Sequence, residues 1–301
     1  MKTFLCSVCV SFFCFFNCAG QCKMNVVDSL AIYDSILYYK NLPRKTLPKY
    51  YVNYKIGTFY YQLATAKYCK FSSQDSSYVK KYYKGNDFEV ANRYFVKSIK
   101  QNKEFTPAQF YGAFTDYDFP SKMRKISKTI ELDSDNSTYY FQRAKLQSST
   151  CFSDEALEDF NKCIQLTPDD YRPYVGRARI LSMRLNGKAP TASEIQLIEQ
   201  DFETALRLPC DSIAVLYQRG KARSYFIKNY PGAIADYNKI LAFNPSFTWV
   251  YRERAVAYHS NKQFDLSCSD YKKWKSLGST SYDWQIKEVC GISYEDWIKK
   301  E

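Results

Sequence analysis

Four arginines and four aspartates recur along this chain at matched positions. Arg143, Arg177, Arg219 and Arg254 are followed, after 16, 24, 17 and 16 residues, by Asp159, Asp201, Asp236 and Asp270. A guanidinium and a carboxylate fit each other as a two-point fork, so each couple reads as a bidentate pair inside one structural unit. Catalytic use of these acids has no support nearby. His259 is the sole histidine, so any histidine-based triad must use it, and its place at the end of a helix reads as structural. No nucleophile elbow, phosphate loop, dinucleotide fingerprint or HExxH pattern occurs. The seven cysteines beyond residue 20 have no CxxC spacing and one histidine to join them, which argues against a metal centre. The chain reads as a non-enzyme with no catalytic residue, cofactor or metal.

The elements that must carry these pairs are legible in the residues around them. Each arginine follows a large residue by three places (Tyr140, Tyr174, Leu216, Tyr251) and precedes a small one (Ala144, Ala178, Gly220, Ala255). Each aspartate precedes a large aromatic, Phe160, Phe202, Tyr237 or Tyr271, which lies four places after Ala156, Ile198, Ala233 or Ser267. Three- and four-residue spacings mark helical faces, so each unit is a pair of helices. The small residue lets the first helix approach its neighbour, the aromatic fills the gap, and Pro168, Pro209 and Pro245 end the second helix. Successive arginines are 34, 42 and 35 residues apart, so the second unit carries an insertion, assigned to the turn-rich residues 185–190.

A helix-turn-helix period of 34 with this pattern resembles the tetratricopeptide repeat (TPR) family. The resemblance implies an all-α solenoid of TPR units winding into a right-handed superhelix, its concave side lined by the first helix of each unit. On that geometry Lys145, Arg179 and Lys221 fall at one equivalent place, Arg172, Tyr217, Trp249 and Arg252 at neighbouring places, and His259 nearby. The function implied is a non-catalytic scaffold that binds a protein or peptide through the array. A ladder of cations with aromatics suits an acidic or carboxylate-bearing peptide. TPR carboxylate clamps also use asparagine, at places that hold Lys145 and Arg179 here. The closing run from Cys268 to Trp274, then Leu277-Gly278, then Cys290, resembles the last repeat of exported bacterial TPR proteins. It implies a Cys268–Cys290 disulfide that pins a capping helix over residues 282–289.

The rest of the chain reads as follows. Residues 1–20 have a lysine, an apolar run and small residues before Gln21, the pattern of a cleavable secretory signal. Export implies a periplasmic or extracellular location with peripheral envelope association. A lipid anchor is the lesser alternative, since Cys18 and Cys22 follow Asn17 and Gln21. No span long enough to cross a membrane follows. Residues 21–136 are expected to form a helical region of degenerate TPR-like units, with helices over 25–40, 47–71, 88–102, 107–114 and 121–132; Ala91-x-x-x-Phe95 echoes the second TPR helix. Residues 137–281 hold the four clear units, and 282–301 the cap. The N-terminal region carries 19 Lys/Arg against 11 Asp/Glu, and the remainder 23 against 20. The excess reads as a solvated basic face; interleaved Tyr and Lys with no RNP, zinc-finger or GXXG motif do not make a nucleic-acid site. An alternative function is glycan or surface-polymer binding by this Tyr-rich basic half.

Overall fold

The computed structural model describes residues 26–43, 46–72, 86–116, 118–150, 154–185, 190–280 and 284–291. The expected signal segment, Cys22, Cys151 and most of the inserted turn lie outside these residues. The described part is helical, with no strand, as expected of an all-α repeat fold. The chain divides into two compact units between Asp135 and Asn136.

The N-terminal unit contains α1 (Val26–Asn41), α2 (Lys49–Ser72), α3 (Asn86–Gln101), α4 (Thr106–Phe114) and α5 (Phe119–Leu132). Helix boundaries follow the apolar periodicity to within a residue or two. Asp118 caps α5 by accepting from the Ser121 N–H, and Pro120 sits at the start of that helix where its missing N–H costs nothing. The α2–α3 pair shares some contacts with the four clear repeats but has no arginine–aspartate couple. Phe95, fully buried, packs onto Gly57, where a Cβ would lie 2.8 Å from the ring. Ser98, three residues on, donates to the Tyr50 carbonyl at 2.8 Å. The places of arginine and aspartate are taken by buried Ile56 and by Tyr94, whose ring stacks on Tyr60 at 5.9 Å.

The C-terminal unit contains four helix pairs and a cap. They are α6 (Ser137–Thr150) with α7 (Asp154–Leu166), α8 (Tyr171–Arg184) with α9 (Ala192–Arg207), α10 (Ser212–Lys221) with α11 (Tyr230–Phe243), and α12 (Thr248–Ser260) with α13 (Phe264–Ser276). The cap is α14 (Trp284–Cys290). Ala144, Ala178 and Ala255 are fully buried against the aromatic of their own pair. Gly220 goes further, since a Cβ there would lie 2.7 Å from Cε1 of Tyr237. Cys163 Sγ donates to the Ser137 carbonyl at 3.3 Å, in the register that Ser98 and Tyr50 occupy in the other unit. Helix starts are locally encoded: Thr191 and Glu194 form a reciprocal capping box on α9, and Asp170, Asp211 and Asn229 cap α8, α10 and α11.

Two insertions are absorbed differently. The longer one is split: α9 begins ten residues before Phe202, against six for α7 before Phe160, and the rest falls between Arg184 and Ala192. The third unit has a single extra residue between Arg219 and Asp236, and the chain takes it up as a π-helical continuation of α10 over Ala222–Ile227. The stretch ends at Lys228, whose φ of 61° is left-handed. A π-turn is the ordinary way for a helix to hold one residue more than its register allows.

Candidate functional site

The arginine–aspartate couples are bidentate pairs in all four repeats. Arg143 Nε and Nη2 donate to Asp159 at 2.7 Å each, and Arg254 does the same to Asp270. Arg177 holds Asp201 at 2.8 and 2.6 Å, and Arg219 holds Asp236 at 3.0 and 2.7 Å. The aspartate bonds raise the pKa of Arg143 and Arg177 above the ordinary arginine range. All four aspartates are buried, so these pairs are internal fastenings and present no acid to a substrate.

The same arginines also reach the preceding repeat. The remaining Arg177 nitrogen, Nη1, donates to Asn161 at 2.6 Å, and Arg254 Nη1 donates to Asn238 at the same distance. Asn161 and Asn238 follow the large aromatics Phe160 and Tyr237 directly. At the junction of the second and third repeats the corresponding place holds Glu203, exposed, and a different fastening appears. Arg223, in the π-helical stretch, donates to Glu199 of α9 at 2.8 and 2.7 Å and to Asp236 at 2.9 Å. Neither the asparagines nor Arg223 was expected from the repeat pattern.

The expected binding residues fall into two groups. In the first two repeats Lys145 is exposed on α6. Arg172 grips Asp170 at the start of α8 and lies over the Phe141 ring at 5.2 Å. Arg179 is half-buried and its polar partner is neutral: Nη2 donates to Ser148 Oγ at 3.1 Å. Burial lowers the Arg179 pKa, and among the described residues no carboxylate offsets that. In the last two repeats Tyr217 meets Trp249 edge to face at 4.4 Å, Phe247 lies against Trp249, and the Lys221 ammonium sits 5.5 Å from the Tyr217 ring centre. Arg252 donates to Glu253 at 3.2 Å and lies over Trp274, while His259 packs edge-on against Phe264. The cation series of Lys145, Arg179 and Lys221 stops there, because the fourth repeat has buried Val256 at that place.

Beyond the array, Cys268 of α13 and Cys290 of α14 are joined as a disulfide with Cα atoms 5.2 Å apart. Ile286 of α14 is fully buried in the core of the last repeats, and Tyr271 donates to Gln285 at 2.8 Å. Cys163 and Cys210 are free, one buried and one half-buried. In the N-terminal unit the tyrosines proposed for sugar contact engage one another and nearby lysines. Lys40 lies over Tyr60, Lys55 over Tyr51, and Lys97 over Tyr94. Among the described residues no helix is long and apolar enough to cross a membrane, and no cluster of three metal-ligating side chains occurs.

No family model matches the sequence, and no curated protein matches it. Solved structures do match the fold. PilW, described as a widely conserved type IV pilus biogenesis factor, is 18% identical over 64% of this chain and 89% of its own, with a TM-score of 0.55. PilF of Pseudomonas aeruginosa is 16% identical over 79% and 97%, with a TM-score of 0.55. YrrB, described as a TPR protein with an unusual peptide-binding site, is 15% identical over 65% and 97%, with a TM-score of 0.50. Likeness at these identities speaks to architecture alone, and with the four bolted helix pairs it makes this chain a tetratricopeptide repeat protein in fold.

Proposed function

We propose that the protein is a non-catalytic scaffold of the cell envelope, exported by its N-terminal segment, that holds an acidic or carboxylate-bearing segment of a partner protein. The face used is that of the first helices over residues 137–281. Arg179 carries this reading. The other half-buried and buried arginines of the four repeats, Arg143, Arg172, Arg177, Arg184, Arg219, Arg223, Arg252 and Arg254, each have a carboxylate within the fold. Arg179 has a serine hydroxyl instead, and a desolvated guanidinium favours an incoming anion to replace the lost hydration. Lys145, at the equivalent place one repeat earlier, adds a second cation. The known peptide binding of YrrB is consistent with this use of the fold.

The test is binding of the purified protein to immobilised peptides that are acidic, basic or neutral, with free and amidated C-termini. Preference for acidic or free-carboxylate peptides, weakened about tenfold or more by Arg179→Gln, is expected for loss of a charge-assisted contact. Equal capture of basic and acidic peptides, or indifference to the substitution, would overturn the reading. Crosslinking in intact cells then identifies the partner.

A further inference from the structure

The turns inside the third and fourth repeats keep a lysine where the backbone does not favour one. Lys228 and Lys262 each lie eight places before the aspartate of their pair, Asp236 or Asp270, and so hold the same place in successive repeats. Both have φ of 61°, and among the described residues they are the only non-glycine positions with positive φ. In the fourth repeat the turn closes α12 as a Schellman motif. The Lys262 N–H donates to the His259 carbonyl and the Gln263 N–H to the Tyr258 carbonyl, both at 2.9 Å. Glycine takes that conformation at no steric cost, whereas a lysine in it is strained. Attraction between an ammonium and the helix C-terminus does not account for the choice. A lysine one residue earlier gains it without the left-handed backbone. What these turns retain is therefore the side chain. Both lysines are exposed, and among the described residues neither is paired with a carboxylate.

Large apolar side chains stand at the same turns. Tyr225, three residues before Lys228, is 42% exposed; Phe264 and Leu266, two and four residues after Lys262, are 50% and 47% exposed. They are not left over from the core, which α13 serves with Tyr271 and Trp274. The Tyr225 ring is tethered by its hydroxyl, which donates to Glu253 at 2.8 Å, and His259 braces Phe264 edge-on at 5.3 Å. Turns at one place in successive repeats line one edge of a repeat array. That edge therefore carries two unpaired cations among three apolar tips. Pairing with a second copy through it would set lysines against lysines, since Asp265 is the one acid in residues 225–230 and 259–266. Cations interleaved with apolar side chains instead match the boundary of a bilayer. There ammonium groups meet lipid phosphates while apolar tips enter the acyl layer.

We propose that the turn edge of the third and fourth repeats rests on the surface of an anionic lipid bilayer. Lys228 and Lys262 pair with lipid phosphates, and Tyr225, Phe264 and Leu266 enter the boundary between headgroups and acyl chains. This goes beyond the scaffold reading, which concerns the first-helix face around Arg179, and it stands or falls separately.

The experiment sediments the whole protein with vesicles of mixed phosphatidylglycerol and phosphatidylcholine, or of phosphatidylcholine alone, and measures the bound fraction. Binding to the anionic vesicles that weakens with added salt is expected, with little on phosphatidylcholine. Lys228→Gly and Lys262→Gly each weaken it about fivefold, the worth of one cation near an anionic surface. They leave the thermal midpoint unchanged or higher, because glycine suits the left-handed turn, and a structural role for the lysines would lower it. Phe264→Ser with Leu266→Ser weakens binding about tenfold or more. Lys100→Gln with Lys103→Gln, which removes two exposed charges from the other unit, leaves binding nearly unchanged. Absent binding, equal binding to both vesicles, or a loss from the Lys100 and Lys103 substitutions as large as from the two glycines overturns the proposal. Vesicle binding that persists while acidic peptides fail to bind would sink the Arg179 reading and leave this one standing.

Discussion

Gly220 and Tyr237 meet more closely than any side chain at residue 220 would allow: a Cβ there would lie 2.7 Å from the Tyr237 ring. The contact fixes how near α10 can come to α11, and its counterpart, Gly57 on Phe95, does the same for α2 and α3. Gly220→Ala is therefore expected to destabilise by about 1–3 kcal/mol, since the buried ring must shift to admit a methyl. Gly112→Ala is the contrasting case. A Cβ there makes ordinary contacts of 3.5 and 3.6 Å, so the substitution gains about 0.5–1 kcal/mol in helix propensity. Opposite signs in chemical denaturation are the expected outcome; equal effects would show that close approach is not what residue 220 provides.

Removing Asp236 leaves Arg219 without its acid and takes away one of the two acids that hold Arg223. Asp236→Ala is expected to cost about 3–5 kcal/mol, the range for a buried pair broken on one side. Asp154→Ala, which breaks the Arg184 pair at an aspartate side chain that is 86% exposed, should cost less than about 1 kcal/mol. Urea midpoints at constant slope provide the comparison. A loss at Asp236 no larger than that at Asp154 would dismiss the internal-fastening role.

The disulfide ties a short cap to the last repeat across 22 residues of chain. Cys268→Ser with Cys290→Ser is expected to lower stability by about 3 kcal/mol on the loop-entropy model. Hydrogen exchange should then rise first in α14, because Ile286 and Gln285 are the contacts left to hold it. The purified protein should yield a Cys268–Cys290 linked peptide under non-reducing digestion, and finding both thiols free would remove the cap from the account.

The Cys163 thiol supplies a pH dependence with a definite sign. Burial, and secondarily Asp159, pushes its pKa from the ordinary 9.0 up to about 12. The folded state thus keeps a proton that the unfolded chain gives up. This contribution is complete below pH 9 and is lost as pH rises toward 12. Thermal midpoints across that window should fall more steeply for the parent than for Cys163→Ala, and alkylation under native conditions should label half-buried Cys210 well before Cys163. Identical slopes would refute the buried-thiol contribution.

The four clear repeats were legible because their determinants are local: Arg143, Ala144, Asp159 and Phe160 pack inside one helix pair, so their spacing survives from unit to unit. The α2–α3 pair was legible only in part, through Ala91 and Phe95. Its Ile56 and Tyr94 replace an ion pair with apolar and stacking contacts, and that chemistry has no fixed signature. Contacts between repeats were missed for a different reason. Asn161 and Asn238 serve a neighbour's arginine, so nothing in their own unit marks them. The π-helical stretch showed in the sequence as one surplus residue, which could as well have lengthened a turn.

The junctions between repeats are not made of the same material. Arg177 and Arg254 reach back to neutral asparagine amides, whereas the middle junction is joined by two charges of opposite sign, Arg223 and Glu199. Neutral couplings are indifferent to dissolved ions, but a partly exposed ionic one weakens as ions accumulate. The middle junction is therefore the one whose strength falls as salt is added, and by less than a surface pair, since its side chains are 14% and 19% exposed. That joint follows the repeat that carries Arg179, so the ionic strength of the surroundings bears on how firmly the later repeats are held to it.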